Sequence, residues 1–319
     1  MRADRDRRAC SGQSQCVLLL LSPGQGSQSS GMLTSWLALP GARERLASWS
    51  ELAGSDLLEL GTTAPAEVVR RTEVAQPLLT ALAILSGRAV LASGPSDVGF
   101  GPLLVCGHSI GELSALALAG VISDDDAVVL AAGRGRLMAQ AAAAVPTGML
   151  ALLGGAVAED DYVAAGLELA TVNVAGQVVL GGTVEALDAW TPPKGVRGRR
   201  LDVAGAFHTS AMAPAVDGFA ELAARLTPQD ASCDVIANAD GAVLRDGPEL
   251  MRRLVGQLTR PVRFDLCLAA AGRASNAVEL APAGVLTGLA KRALPHLPVT
   301  ALRSPDDLAG AAAARLVTA

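Results

Sequence analysis

Between Val17 and Leu21 every residue is apolar, and the run stops at Ser22-Pro23-Gly24, the pattern of a short strand buried on both faces of a parallel sheet. A loop rich in Gly, Gln and Ser follows, and helical periodicity then fills Met32 to Leu60 and Ala75 to Leu91. A second buried strand is expected at Leu103 to Cys106, running straight into Gly107-His108-Ser109-Ile110-Gly111 and a helix over Glu112 to Ala119. Gly120 stops that helix, while Ser123 with Asp124 to Asp126 supplies the cap and acidic first turn of the next. The pair predicts an antiparallel helix hairpin.

From Thr147 the order changes to strand (Met149 to Leu153), helix (Glu159 to Gly166), strand (Leu169 to Asn173), strand (Gln177 to Gly181), helix (Val184 to Trp190) and strand (Arg197 to Val203). That is the β-α-β-β-α-β order of a ferredoxin-like unit. Beyond Ala204 the alternation of an α/β core resumes, with helices over Thr209 to Leu226, Pro248 to Leu258 and Gly284 to Leu294, and strands at Asp234 to Ala237, Val278 to Leu280 and near Val299. The expected fold class is α/β: a large domain with a mostly parallel sheet (16–143 and 206–319) and an inserted ferredoxin-like small domain (144–205). Residues 1–15, rich in Arg and Asp, read as a disordered extension. The apolar run behind them is too short for a signal peptide and is cut by Pro23-Gly24-Gln25-Gly26. No stretch reads as long enough to span a membrane.

Half the 319 residues are apolar but only 3% are aromatic, so Ala, Val and Leu must fill the core. A formal charge of -5, a pI near 5.3 and no aromatics interleaved with Lys or Arg argue against nucleic-acid binding. Five scattered cysteines without C-x-x-C or Cys/His spacing point to a reducing, cytoplasmic compartment and offer no metal site.

Placed between a strand and a helix, G-x-S-x-G exposes its Ser hydroxyl on a tight turn, beside the free N–H groups of the helix start. Ser109 is therefore the candidate nucleophile, with the N–H of Ile110 beside any oxyanion formed there. A serine needs a base, and the chain offers His108, His208 and His296. His108 adjoins Ser109 on a turn where side chains diverge, and His296 lies in a loop between Pro295 and Leu297. His208 follows Gly205-Ala206-Phe207 where a strand gives way to a helix, the edge at which α/β sheets place their sites. The hairpin adds an independent argument. Counting about ten residues up one helix and about ten back down its partner, at about 1.5 Å each, brings Arg134 level with Ser109. Arg134 also shares a small apolar stripe with Ala127, Ala131 and Met138, where a guanidinium wants an anion or an internal salt bridge; Arg136 falls on the opposite face. On these residues alone a serine hydrolase or thioesterase stays open.

The motifs together resemble malonyl-CoA:acyl-carrier-protein transacylases and the acyltransferase domains of polyketide synthases. They are Pro23-Gly24-Gln25-Gly26-Ser27-Gln28, Gly107-His108-Ser109-Ile110-Gly111-Glu112, Arg134-Gly135-Arg136-Leu137-Met138, Gly205-Ala206-Phe207-His208, Asn238-Ala239-Asp240-Gly241, Gln257-Leu258-Thr259-Arg260-Pro261-Val262 and Glu279-Leu280-Ala281-Pro282. Where the family often has Asn-x-Pro-Gly-Gln, this chain has Asn173-Val174-Ala175-Gly176-Gln177. The resemblance implies an α/β-hydrolase-like large domain and transfer of malonyl from malonyl-CoA to acyl carrier protein, with no resident cofactor or metal, from a monomer. It further implies Ser109 as nucleophile, His208 as base and then acid, and Gln25 and Ile110 as oxyanion N–H donors. Arg134 would clamp the malonyl carboxylate, and the Gln257 carbonyl would orient His208. Asn173, Phe207, Met138 and His108 would line the substrate, with Phe207 crowding an α-methyl group. An acidic carrier protein would find cations at Lys194, Arg197 and Arg199 or at Lys291 and Arg292, residues that read equally well as a solvated charged face, and a non-catalytic carrier-protein-binding module stays open as an alternative.

Overall fold

A computed structural model describes residues 17–93 and 102–316; the extension expected over 1–15 lies outside the described residues. The chain opens on β1 (Leu18–Ser22). The helical segments expected over Met32 to Leu60 are, after a turn, a 3-10 segment (Ser35–Ala38) and two helices, α1 (Ala42–Ala53) and α2 (Leu57–Thr62). Gly41 and Gly54, at φ 73° and 68°, end the path on either side of α1, a break that apolar periodicity alone does not register. Next come α3 (Ala66–Val69), α4 (Thr72–Ala92), β2 (Leu103–Gly107), α5 (Gly111–Leu118) and α6 (Asp124–Ala144). Ser123 Oγ caps α6 by accepting the Asp126 N–H at 3.0 Å. Contrary to the sequence expectation, α4 does reach spanning length and apolarity, with 21 residues and a mean hydropathy of 1.5. Of its apolar window 78% is buried, as in the core helix of a globular fold, and α4 packs against α5 and α6.

The middle of the chain contributes β3 (Thr147–Gly154), α7 (Glu159–Val163), β4 (Glu168–Val174), β5 (Gln177–Thr183), α8 (Val184–Ala189) and β6 (Val196–Arg200). The rest comprises α9 (Ala213–Ala223), β7 (Asp234–Ile236), β8 (Val243–Leu244), α10 (Gly247–Gly256), β9 (Val262–Arg263) and α11 (Phe264–Ala271). It ends on β10 (Asn276–Glu279), α12 (Val285–Ala293), β11 (Val299–Ala301) and α13 (Leu308–Leu316). Of these, β8, β9, α11 and α13 have no counterpart in the sequence reading, and two-residue strands are too short to leave a period.

Six strands form one sheet in the order β11-β10-β1-β2-β7-β8, parallel throughout except for β8. Leu18 and Leu20 enter the core on one of its faces, Leu19 and Leu21 the core on the other, which is why β1 is apolar without alternation. The second sheet has the order β6-β3-β5-β4-β9. Its first four strands are antiparallel, in the ferredoxin-like arrangement. The fifth, β9, joins from a distant part of the chain by pairing parallel to β4, Thr171 opposite Val262.

Candidate active site

The site forms at the carboxyl ends of β1 and β2, where open α/β sheets leave a crevice. His108 N–H donates to Ser22 O at 3.0 Å, so the elbow after β2 is tied to the end of β1. A Cβ on Gly107 would lie 2.0 Å from the Gly111 main chain, and one on Gly111 would lie 2.3 Å from Ser22 O. Only glycine fits either position. The turn sets Ser109 at φ 54°, and His208, at 64°, is the other non-glycine residue with positive φ among those described. Such conformations cost about 1–3 kcal/mol each and persist only when neighbours enforce them. For Ser109 the enforcing contact is its N–H on Asn238 Oδ1 at 2.8 Å, while Asn238 Nδ2 donates to Gly107 O at 2.6 Å.

Ser109 Oγ lies 2.7 Å from His208 Nε2, and His208 Nδ1 lies 2.8 Å from the Gln257 carbonyl oxygen. A carbonyl can only accept, so this contact assigns the proton to Nδ1 and leaves Nε2 to accept from the serine. Burial, then the nearby Arg134 charge, drive the imidazole down to about 3, so it is neutral near neutral pH. Arg134 is 1% exposed, and its Nη2 lies 3.5 Å from Ser109 Oγ. Its Nη1 and Nη2 donate to Gln76 Oε1 and Gln257 Oε1, both at 2.9 Å, and Nε has no partner among the described residues. No carboxylate reaches ion-pair distance of it among the described residues, which removes the internal salt bridge. Burial lowers the guanidinium to about 10, with Glu112 opposing the shift.

Neither the Gln25 N–H nor the Ile110 N–H has an acceptor among the described residues, and both lie beside the Ser109 hydroxyl's turn. Gly24 makes that approach possible, since a Cβ there would sit 2.6 Å from His108 O. His108 is half-buried, its Nε2 2.9 Å from Asn173 Oδ1 on β4 and its ring edge-on to Phe264 at 5.0 Å between centroids. Burial holds it below its ordinary value. Phe207 and Met138 line the same cleft. His296 and Arg136 are exposed away from it, the latter donating to Ala53 O.

Three further buried residues shape the site without having been assigned a role from sequence: Gln76, Asn238 and Glu112. Burial pushes the Glu112 carboxyl up to about 7, against the pull of the Asn238 N–H it accepts and of the Arg134 and Arg253 charges. Its sequence signal was a lone acid opening an otherwise small and apolar helix, Leu113 to Leu118. Among the described residues no group of His, Cys, Asp and Glu has metal-binding spacing.

The Acyl transferase domain family model matches residues 20–311. The chain is 48% identical over 303 residues to the malonyl CoA-acyl carrier protein transacylase of Mycobacterium tuberculosis, covering 92% of this chain and 98% of that one. It is 35% identical over 305 residues to the protein of the same name from Salmonella typhimurium, covering 91% and 96%. A crystal structure of MCAT from Mycobacterium tuberculosis superposes with a TM-score of 0.87 at 46% identity, over 93% of this chain and 99% of that one. Malonyl-CoA:acyl carrier protein transacylase from Xanthomonas oryzae gives 0.85 at 35% identity, over 93% and 98%. With a model match that spans nearly its whole length and relatives this similar, the chain belongs to the acyl transferase domain family.

Proposed function

We propose that this enzyme transfers the malonyl group of malonyl-CoA to the phosphopantetheine thiol of an acyl carrier protein, through an ester on Ser109, for fatty acid or polyketide assembly. The observation that carries the reading is the meeting of three groups at one oxygen: Ser109 Oγ has His208 Nε2 at 2.7 Å and Arg134 Nη2 at 3.5 Å. His208 takes the hydroxyl proton as Oγ attacks the thioester carbon. The oxyanion accepts the N–H groups of Gln25 and Ile110, and on collapse the C–S bond breaks and His208 returns its proton to the coenzyme A thiolate. The carrier thiol then gives its proton to His208 and attacks the ester, and Ser109 leaves with that proton. Arg134 holds the free carboxylate through both half-reactions, so the acyl carbon is fixed toward the thiol rather than toward water. Its unpartnered Nε and its neutral partners Gln76 and Gln257 leave the positive charge available for that carboxylate. Gln257 serves His208 by its main-chain carbonyl, and Asn173, His108, Met138 and Phe207 shape the acyl pocket, Phe207 against an α-methyl branch.

Residues 144–205 act in this reading as an inserted unit that closes one side of the cleft. Arg197 and Arg199 pair across from Leu153 and Ala151, on the sheet face that also carries the cleft-lining Met149 and Leu201. With Lys194 they are exposed and make no ion pair among the described residues, a surface suited to an acidic carrier protein at the cleft mouth. All proposed site residues come from one chain, so a cytoplasmic monomer suffices and no resident cofactor is required. The test is transfer of labelled malonyl from malonyl-CoA to carrier protein: wild type transfers, Ser109→Ala does not. Full transfer by the variant overturns the assignment.

A further inference from the structure

We propose that Glu112 is the positioning acid of this site, acting through the side-chain amide of Gln257 to hold the Arg134 fork in place. The inference rests on the malonyl-transfer reading above. Glu112 opens α5 and is 7% exposed. One carboxylate oxygen accepts the Asn238 N–H at 2.6 Å and the other accepts Gln257 Nε2. On the far side of the same amide, Gln257 Oε1 accepts Arg134 Nη2 at 2.9 Å.

The direction of every bond in this network is dictated by chemistry. A guanidinium has only donors, and each Glu112 oxygen faces an N–H donor and so acts as an acceptor. An amide lying between them satisfies both in a single orientation, oxygen toward Arg134 and nitrogen toward Glu112. The remaining contacts agree: Gln257 Nε2 also approaches Ser109 O at 3.3 Å and Asn238 Oδ1 at 3.2 Å, both acceptors. Asn238 in turn holds the Ser109 N–H at 2.8 Å. Glu112 thus sets the polarity of the Gln257 amide, whose oxygen faces the cation that would hold the substrate and whose nitrogen also meets the Asn238 Oδ1 that accepts the nucleophile's N–H.

Glu112→Gln breaks this order while keeping the shape. Both neighbours of the side chain are N–H donors, so a glutamine there must set one N–H against another. Relief comes by loss of the contact or by a flip of Gln257 that turns its NH2 group toward Arg134. Either way the fork loses a firm acceptor and its aim. A purely electrostatic role predicts the opposite sign: removing a negative charge near Arg134 would strengthen its hold on a carboxylate and lower KM for malonyl-CoA.

The experiment measures kcat and KM for malonyl-CoA and for acetyl-CoA with wild type, Glu112→Gln, Glu112→Asp and Gln257→Met, with melting temperature as the fold control. The expected result is that Glu112→Gln narrows the malonyl-to-acetyl ratio of kcat/KM by about tenfold or more, the worth of one charge-assisted hydrogen bond, with a raised KM for malonyl-CoA. Glu112→Asp, which keeps two acceptor oxygens, recovers most of the ratio. Gln257→Met lowers the ratio similarly, and adding Glu112→Gln to it changes the ratio little further, because the relay is already cut. An unchanged ratio, a lowered malonyl KM, an aspartate no better than glutamine, or a full additional loss in the double variant overturns the proposal. If Glu112→Gln does not fold, an unchanged ratio in Gln257→Met still refutes the relay, and a narrowed one supports it. Wild type that fails to transfer malonyl at all defeats the underlying reading instead, so the two failures are distinguishable.

Discussion

Truncating Arg134 to alanine changes two quantities at once, and the structure sets the size of both. The guanidinium is 1% exposed, so its loss is not compensated by bulk solvent. Two charge-assisted hydrogen bonds to a malonyl carboxylate, at about 1.5–3 kcal/mol each, predict a fall in kcat/KM for malonyl-CoA of about 10²–10⁴-fold. Acetyl-CoA has no carboxylate to lose and is no longer faced by an unmatched buried charge, so its rate is retained or rises. The second effect falls on the base. Nη2 lies 3.5 Å from Ser109 Oγ, which lies 2.7 Å from His208 Nε2. Cation and imidazole are thus within about 6 Å, and at an effective dielectric near 20 their repulsion is about 3 kcal/mol, or about two pH units. Removing the cation shifts the acid limb of the acylation profile upward by about that much. Acylation rates with both thioesters, followed by coenzyme A release across a pH series, read both effects. An unaltered malonyl-to-acetyl ratio, or an acid limb that stays in place, defeats the assignment of Arg134.

Two further expectations concern stability. His208 is held near 3 in the fold against 6.5 when free, so below pH 6.5 the unfolded chain takes up a proton that the folded chain refuses. Its contribution therefore leaves stability untouched above 6.5 and erodes it on acidification by up to about 1.4 kcal/mol per pH unit, until pH nears 3. Urea midpoints of His208→Gln should decline less steeply than wild type over that window; parallel curves contradict the assigned shift. Glu279 is fully buried and its carboxylate accepts the N–H groups of Gly284, Leu286 and Thr287 at 2.7–2.8 Å, fixing the start of α12, whose Leu286 and Leu289 wall the cleft. Glu279→Gln substitutes a donor for one acceptor and should cost about 2–3 kcal/mol, seen as a lower melting temperature with a raised KM for malonyl-CoA. An unshifted melting temperature rules out this role.

Much of the site was legible because local rules reach it. Gly107 and Gly111 announce a strand-to-helix turn that glycine alone permits, and helix rise along a hairpin brings Arg134 back beside Ser109. His208 stood out by scarcity, being one of three histidines and the one at a strand end. The rest depended on long-range placement. Gln76 meets Arg134 from 58 residues away, and Asn238 meets the Ser109 N–H from 129 residues away, with nothing in either neighbourhood to mark the partner. β9 escaped notice because a two-residue strand exists only through its pairing with β4. Over Met32 to Leu60 the apolar spacing shows helical segments but not where they divide; Gly41 and Gly54 set the ends of α1.

Intact-mass analysis of the purified chain, first with malonyl-CoA and then with carrier protein, addresses the convergence of hydroxyl, imidazole and guanidinium at one point. A single malonyl adduct on Ser109, formed with one equivalent of released coenzyme A and discharged on addition of carrier protein, is the predicted outcome. Transfer that proceeds without any adduct, or an adduct that maps to a different side chain, contradicts it.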